Sequence, residues 1–136
     1  MYEMFEHTAD LGIHVRAATL ESLLVDAARG LTAVIATDPG RIEPTVEEHF
    51  AVAGADPAWL LLDWVAEVHA AFEVRRMLFR DFEVAVSESG LEATARGERY
   101  DPARHSLAHE VKAVTQHDLA VQPTADGWEA RFIVDI

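Results

Sequence analysis

Two aspartates near opposite ends of the sequence lie in segments that suggest a cation-binding site. Asp10 lies in the segment His7-Thr8-Ala9-Asp10-Leu11-Gly12, and Asp135 directly precedes the last residue, Ile136. Two carboxylates and a terminal carboxylate would give three oxygen donors, the ligand type that hard cations such as Ca²⁺ and Mg²⁺ prefer. Such a site requires the two segments to converge, so we expect carboxylate oxygens of Asp10 and Asp135 within about 6 Å of each other.

Each aspartate also has a purely structural interpretation. Asp10 could begin a turn into a strand, because aspartate side chains bond to nearby backbone amides and Gly12 tolerates unusual geometry. Asp135 could be a polar residue near a chain end. We favour the cation because a strand that ends in an acid and a free carboxylate needs a cation or a partner to hold it.

A zinc site is a second possibility for the metal-binding residues. The chain has seven histidines and no cysteine, which removes thiolate ligands and thiol nucleophiles. The relevant histidines are His105, His109 and His117, and the last two share a face if they lie on one regular strand. Histidines in such positions are more often exposed or hydrogen-bonded, so we favour oxygen ligands.

Length and composition limit the class of protein. The 136 residues are half hydrophobic, enough to fill one core, and we expect one domain over residues 1–136. The formal net charge of −13 repels phosphate backbones, so direct binding of nucleic acid is not expected. The N-terminal segment lacks the basic and apolar regions of a signal peptide, and we expect a soluble, cytoplasmic protein.

Hydrophobic periodicity predicts the first half of the fold. Alternation over Gly12 to Ala17 indicates a strand, and apolar spacing from Leu20 to Ile35, preceded by the N-cap Thr19, indicates a helix that ends by residues 38–40. A second strand is expected within Ile42 to Ala53. The pair Asp56-Pro57 is typical of the start of another helix.

In the second half the pattern changes to that of strands. Residues 78–95 form a predicted hairpin that turns at Ser89-Gly90, and further strands are expected over His109 to Val121 and Trp128 to Asp135, around a turn at Asp126-Gly127. This order predicts an α+β fold, a two-layer single domain with two main helices on a largely antiparallel sheet.

The second helix has one face that is clearly apolar. Trp64 and Phe72 are predicted core residues, while Asp63, Glu67 and Glu73 are predicted to face solvent. The pattern indicates no exposed apolar surface.

Several motifs in this order resemble the archease family over nearly the whole chain. The motifs are 7–12, Trp64 with Glu67, Gly97-Glu98 with Asp101-Pro102, 110–115, and 127–136. Two positions depart from the family pattern: Ala66 stands where asparagine is frequent, and Gln116 stands where an aromatic residue is frequent.

The resemblance implies an accessory protein, not an enzyme. Archeases activate the GTP-dependent RNA ligase that seals 2′,3′-cyclic-phosphate ends in tRNA splicing and RNA repair, by assisting the guanylylated-histidine intermediate and so permitting multiple turnover. The resemblance assigns a divalent cation, typically calcium, to Asp10, Asp135 and an oxygen of Ile136. It places Lys112 among the residues that act on the partner, and implies a two-layer fold of the strand-helix-strand-strand type.

Two other classes of function stay open from the sequence. A metal-dependent hydrolase could use Asp10 and Asp135, although the sequence has no nucleophile and base at a spacing typical of a catalytic motif. A chaperone-like module that binds proteins is the other class. Turnover without any ligase would favour the hydrolase, and suppression of aggregation without a ligase would favour the chaperone.

Overall fold

Strands alternate with two helices along the chain. The computed structural model describes residues 1–7 and 9–136, apart from the side chains of Glu6 and His7; Thr8, in the first acidic motif, lies outside the described residues. The strands of the described residues are β1 (Tyr2–His7), β2 (Asp10–Ala17), β3 (Val46–Ala53), β4 (Met77–Ser87), β5 (Gly90–Arg99), β6 (Ala113–Pro123) and β7 (Trp128–Asp135). The helices are α1 (Leu20–Ile35) and α2 (Pro57–Arg75).

The strands form two antiparallel sheets. The first has the order β1-β2-β7-β6, so β2 and the last strand, β7, lie side by side in its centre and β1 forms one edge. The second has the order β3-β5-β4. Its β4–β5 turn ends at Gly90, whose φ of 144° favours glycine and whose missing side chain leaves room for the Val52 carbonyl of β3.

Both helices begin where the sequence predicts. Thr19 caps α1, because its hydroxyl accepts from the Ser22 N–H at 3.0 Å and its own N–H donates to the Ser22 hydroxyl. Pro57 is the first residue of α2, and Asp56 occupies the N-cap position without a side-chain hydrogen bond. No helix in the described residues is long and apolar enough to cross a membrane.

Trp64 joins both helices to the second sheet. It is fully buried, and its Nε1–H donates to the Leu24 carbonyl of α1 at 2.9 Å. Its ring meets those of Phe50 and Phe82 edge-on, with centroids 5.5 and 6.0 Å apart. The predicted core role of Trp64 and Phe72 is therefore confirmed, as is the predicted exposure of Asp63, Glu67 and Glu73.

The α+β fold class is confirmed, and the structure adds that the strands form two sheets. Alternation predicts which side chains of a strand are buried, but partner strands are chosen by backbone bonds between distant residues.

The sixth strand begins at Ala113, not His109, because residues 107–109 bond instead to the end of α1. The edge strand β1 was not assigned from the sequence.

The prediction that no apolar surface is exposed is wrong for α2. Trp59 and Val74 on this helix are 51% and 78% exposed. Apolar residues occur all around α2, and the packing of the helix against α1, β3 and β6 decides which of them are buried.

Candidate metal centre

Asp10 and Asp135 are direct neighbours across the first sheet. β2 begins at Asp10 and β7 ends at Asp135, and the antiparallel register pairs the two residues. Directly opposed side chains share one face with Cβ atoms about 5 Å apart. Both residues are half-buried, and their carboxyl groups hydrogen-bond to each other. The two acidic segments therefore converge as expected, while cation binding stays a prediction.

The proximity of Asp10 changes the ionisation of Asp135. The hydrogen bond with Asp10, partial burial and the negative charge of Asp10 together raise the pKa of Asp135 above its ordinary value. A divalent cation at this position would oppose the rise, because its positive charge favours the ionised carboxylates.

Lys112 lies beside the acidic pair, where the family position places it. Its N–H donates to the Asp135 carbonyl at 2.8 Å, and the next residue, Ala113, pairs with Asp135 in the sheet. Its side chain is exposed, and the ammonium charge acts to lower the pKa of Asp135, against the larger effect of Asp10. Ile136 is half-buried and packs on the edge of the core, which holds the end of β7 in place.

The donor atoms at this end of the sheet fit a hard cation. The side-chain donors of the pair are carboxylate oxygens, which the register of β2 and β7 places side by side. Within residues 1–7 and 9–136 no cluster of three or more His, Asp or Glu side chains is arranged to hold a metal. A cation here would need backbone oxygens and water as further ligands, a set that suits calcium or magnesium better than zinc.

The three candidate zinc ligands do not form a site. His105 is buried in the loop after β5, where its Nδ1 accepts from the Asp101 N–H at 2.9 Å and its Nε2 lies 3.0 Å from a Glu98 oxygen. These bonds assign the ring proton to Nε2. His109 and His117 are exposed, in the loop before β6 and in the irregular middle of that strand.

Glu98 is the centre of a polar cluster that the sequence analysis did not assign. Its carboxylate accepts from both terminal nitrogens of Arg104, from the His105 ring and from the Glu43 N–H at 2.7 Å. The bond with Arg104 is the largest influence that lowers the pKa of Glu98 to about 2. The cluster fastens residues 98–105 to the loop that precedes β3, so its role is structural.

Comparison with known proteins identifies the family. The model of the Archease protein family (MTH1598/TM1083) matches residues 2–136. This chain belongs to the archease family. The match includes Asp10, Lys112 and Asp135, and so both halves of the candidate metal centre.

Curated relatives of the archease family match along their full length. The protein archease of Methanopyrus kandleri is 44% identical over 139 residues, which cover 99% of each chain. The protein archease of Pyrococcus abyssi is 36% identical over 140 residues, which cover 99% of this chain and 98% of the relative.

Two solved structures share the fold. The solution structure of Methanobacterium thermoautotrophicum protein 1598 has a TM-score of 0.82 at 28% identity. The likeness covers 99% of this chain and 98% of the Methanobacterium chain. The crystal structure of an archease, possible chaperone, from Thermotoga maritima has a TM-score of 0.71 at 21% identity. The likeness covers 100% of this chain and 98% of the Thermotoga chain. The second likeness supports the archease fold alone.

Proposed function

We propose that this chain is an accessory protein that activates the GTP-dependent RNA ligase of tRNA splicing and RNA repair, in the cytoplasm. The observation that carries the proposal is the pairing of Asp10 with Asp135 beside Lys112, at positions that the family match includes. The chain itself performs no chemical step in this proposal. It promotes guanylylation of the ligase and so allows multiple turnover.

The proposed cofactor is a divalent cation, with calcium as the first candidate. Asp10, Asp135 and a main-chain or terminal oxygen of Ile136 would hold it, and it would supply positive charge for phosphate groups at this end of the protein. Lys112 adds a second positive charge at the same end, on an exposed side chain. The two charges of calcium and that of Lys112 would offset the negative charges of Asp10, Asp135 and the terminal carboxylate, so this end would be close to neutral on an otherwise acidic protein.

The net charge of −13 supports a protein partner with a basic surface and argues against direct contact with RNA. A ligase that binds RNA and GTP has such a surface, because it must attract phosphates. Long-range attraction would bring the two proteins together and orient them.

A hydrolase at the acidic pair has no supporting observation. A nucleophile–base contact does occur between Thr94 and His49, 3.2 Å apart, with Glu47 3.2 Å from the other ring nitrogen. It lies on the second sheet, not at the acidic pair, and the His49 side chain is 71% exposed. Catalysis of this kind works in a water-excluded site with oriented donors, which an open sheet face does not provide.

A general protein-binding module is the second candidate, and the exposed Trp59 and Val74 favour it. The two candidates differ in specificity. A chaperone-like module would suppress aggregation of unrelated unfolded proteins, whereas the proposed accessory protein acts on one ligase.

The test of the proposed function follows guanylylation of purified ligase with labelled GTP, with and without this chain. We expect the chain to accelerate formation of the ligase–GMP adduct, and to hydrolyse no GTP alone. An unchanged rate of adduct formation would overturn the proposal. Suppression of aggregation together with an unchanged rate would favour the general protein-binding module.

A further inference from the structure

The solvent side of α2 carries a row of apolar residues that are not part of the buried core. Trp59, Ala66, Ala70 and Val74 are all exposed. At 100° per residue, these four positions fall within a sector of about 80° of the helix, and the exposed Asp63 lies in the same sector. We call them the outer row of α2. The buried side of the helix is formed by other residues, namely Leu60, Leu61, Trp64, Val65, Val68, Ala71 and Phe72.

The outer row has the composition of a binding surface for another protein. Tryptophan is enriched among the residues that dominate binding energy at interfaces, and Trp59 is half exposed at one end of the row. Val74 is 78% exposed at the other end. Between them the two alanines leave the helix backbone open to close approach, which allows a second helix to pack at an interaxial distance of about 8 Å.

The charges around the outer row are negative. Asp63 lies within the sector of the outer row, and the exposed Glu67 and Glu73 flank it on either side. Arg75 and Arg76, at the end of α2, follow Val74 and contact Glu48 and Phe72. A second copy of this chain would bring these acids against one another. A partner with lysine or arginine beside its apolar residues would neutralise them.

We propose that the outer row of α2 docks a helix of the partner protein, with an apolar stripe flanked by lysine or arginine. The inference rests on the proposed function in that the partner is the activated RNA ligase. Trp59 and Val74 would insert at the two ends of the contact, and the helices would cross at Ala66 and Ala70.

The docking surface is connected to the acidic pair through two hydrogen bonds. The His69 ring nitrogen Nε2 of α2 bonds to the Val111 carbonyl at 2.8 Å, and the following N–H, of Lys112, donates to the Asp135 carbonyl at 2.8 Å. A partner bound on α2 would therefore find the acidic pair in a fixed position. Docking and activation are in this way assigned to different residues.

The experiment measures the dissociation constant of purified ligase for the wild-type chain and for Trp59→Glu and Ala70→Arg. Both substitutions are at exposed positions, and thermal melting checks that the variants are folded. We expect each to weaken binding at least about tenfold. Met4→Glu is the matched control, because Met4 is 41% exposed on β1, and it should bind as the wild type does. Asp135→Asn should bind within about threefold of the wild type but fail to stimulate the ligase.

Three outcomes would overturn the inference, and they are distinguishable. If Trp59→Glu and Ala70→Arg bind and stimulate the ligase as the wild type does, the docking surface lies elsewhere and the proposed function stands. If the wild-type chain neither binds nor stimulates the ligase, the proposed function falls as well. If sedimentation shows a wild-type dimer that Trp59→Glu converts to a monomer, the outer row binds a second copy.

Discussion

At the scale of single residues, the acidic pair is unfavourable in a protein without a cation. Asp10 and Asp135 are held together by the register of β2 and β7, and their proximity raises the pKa of Asp135. A folded protein gains no stability from two like charges at hydrogen-bond distance. Such an arrangement is typical of sites where a ligand neutralises the charge.

Replacing Asp135 by asparagine should separate cation binding from folding. The raised pKa means that the folded state holds the Asp135 proton more tightly than the unfolded state does. Without a cation, the free energy of unfolding therefore decreases as the pH rises through that pKa. Asparagine removes this penalty, so at neutral pH and with chelator the melting temperature of Asp135→Asn should equal or exceed that of the wild type.

Calcium should raise the melting temperature of the wild type and leave that of Asp135→Asn unchanged, as thermal melting with and without calcium would measure. Asp126→Asn, in the exposed turn before β7, is the matched control and should respond to calcium like the wild type. A calcium response that survives in Asp135→Asn would place the cation elsewhere.

The sequence identified both aspartates but could not establish their contact. Each lies in a recognisable segment, yet only the strand register brings them together, and register depends on the fold of the residues between them. The Glu98 cluster was missed for a related reason. Glu98, Arg104 and Glu43 are common surface residues, and their convergence depends on the path of two loops.

At the scale of elements, the loop between β5 and β6 connects the two sheets. Its first part is fastened by the Glu98 cluster, its middle bonds to the end of α1 at Ile35 and Ala36, and its last part bonds to His69 of α2. The loop ends at Lys112, beside the acidic pair. The Glu98 cluster, at the start of this loop, therefore helps to fix the position of Lys112 beside the candidate metal centre.

Glu98→Gln should destabilise the protein by about 1–3 kcal/mol at neutral pH, because charge-assisted bonds from Arg104 and the His105 ring are weakened in a largely buried site. The lowered pKa fixes the pH dependence. Glu98 has a pKa of 4.5 when unperturbed and of about 2 in the folded protein. The stabilisation by ionised Glu98 is therefore complete above pH 4.5 and is lost as the pH falls toward about 2.

Denaturant titrations at several pH values would measure the difference between the wild type and Glu98→Gln. It should be largest near neutral pH and shrink in acid. Glu92→Gln, at an exposed position of the same strand, is the control and should change the free energy of unfolding by less than about 0.5 kcal/mol. Equal losses in the two variants would contradict the structural role of the cluster.

The helices and most strands were predictable because their signals are local. Thr19 and Pro57 mark helix starts by their own chemistry, and the alternation of residues 128–135 defines β7. The division of strands into two sheets is a long-range property. The exposed row of α2 was not predicted, because apolar residues occur on every side of this helix and their pattern does not show which side is covered.

At the scale of the whole molecule, the second and last strands pair in the centre of one sheet, and the chain carries a large excess of negative charge. The net charge of −13 applies to a chain of only 136 residues. A divalent cation and Lys112 would neutralise the acids at the end of the first sheet. The molecule would then approach a basic partner through its acidic surface, while the bound cation and the Lys112 ammonium could contact phosphate groups.

Association with the ligase should depend strongly on salt. Raising the ionic strength from about 0.1 M to about 1 M shortens the Debye length from about 10 Å to about 3 Å, which screens the long-range attraction. We expect the association rate constant, measured by stopped flow, to fall at least about tenfold while the dissociation rate changes little. An association rate that does not respond to salt would mean that the acidic surface plays no part in the encounter.

The most direct test of the account is multiple-turnover ligation of RNA with 2′,3′-cyclic-phosphate ends, with GTP, calcium and a limiting amount of ligase. We expect the wild-type chain and Asp126→Asn to yield many ligated products per ligase molecule. Asp135→Asn, although folded and bound to the ligase, should yield about as little product as ligase alone. Full multiple turnover with Asp135→Asn would contradict the central claim that the acidic pair carries the activating function.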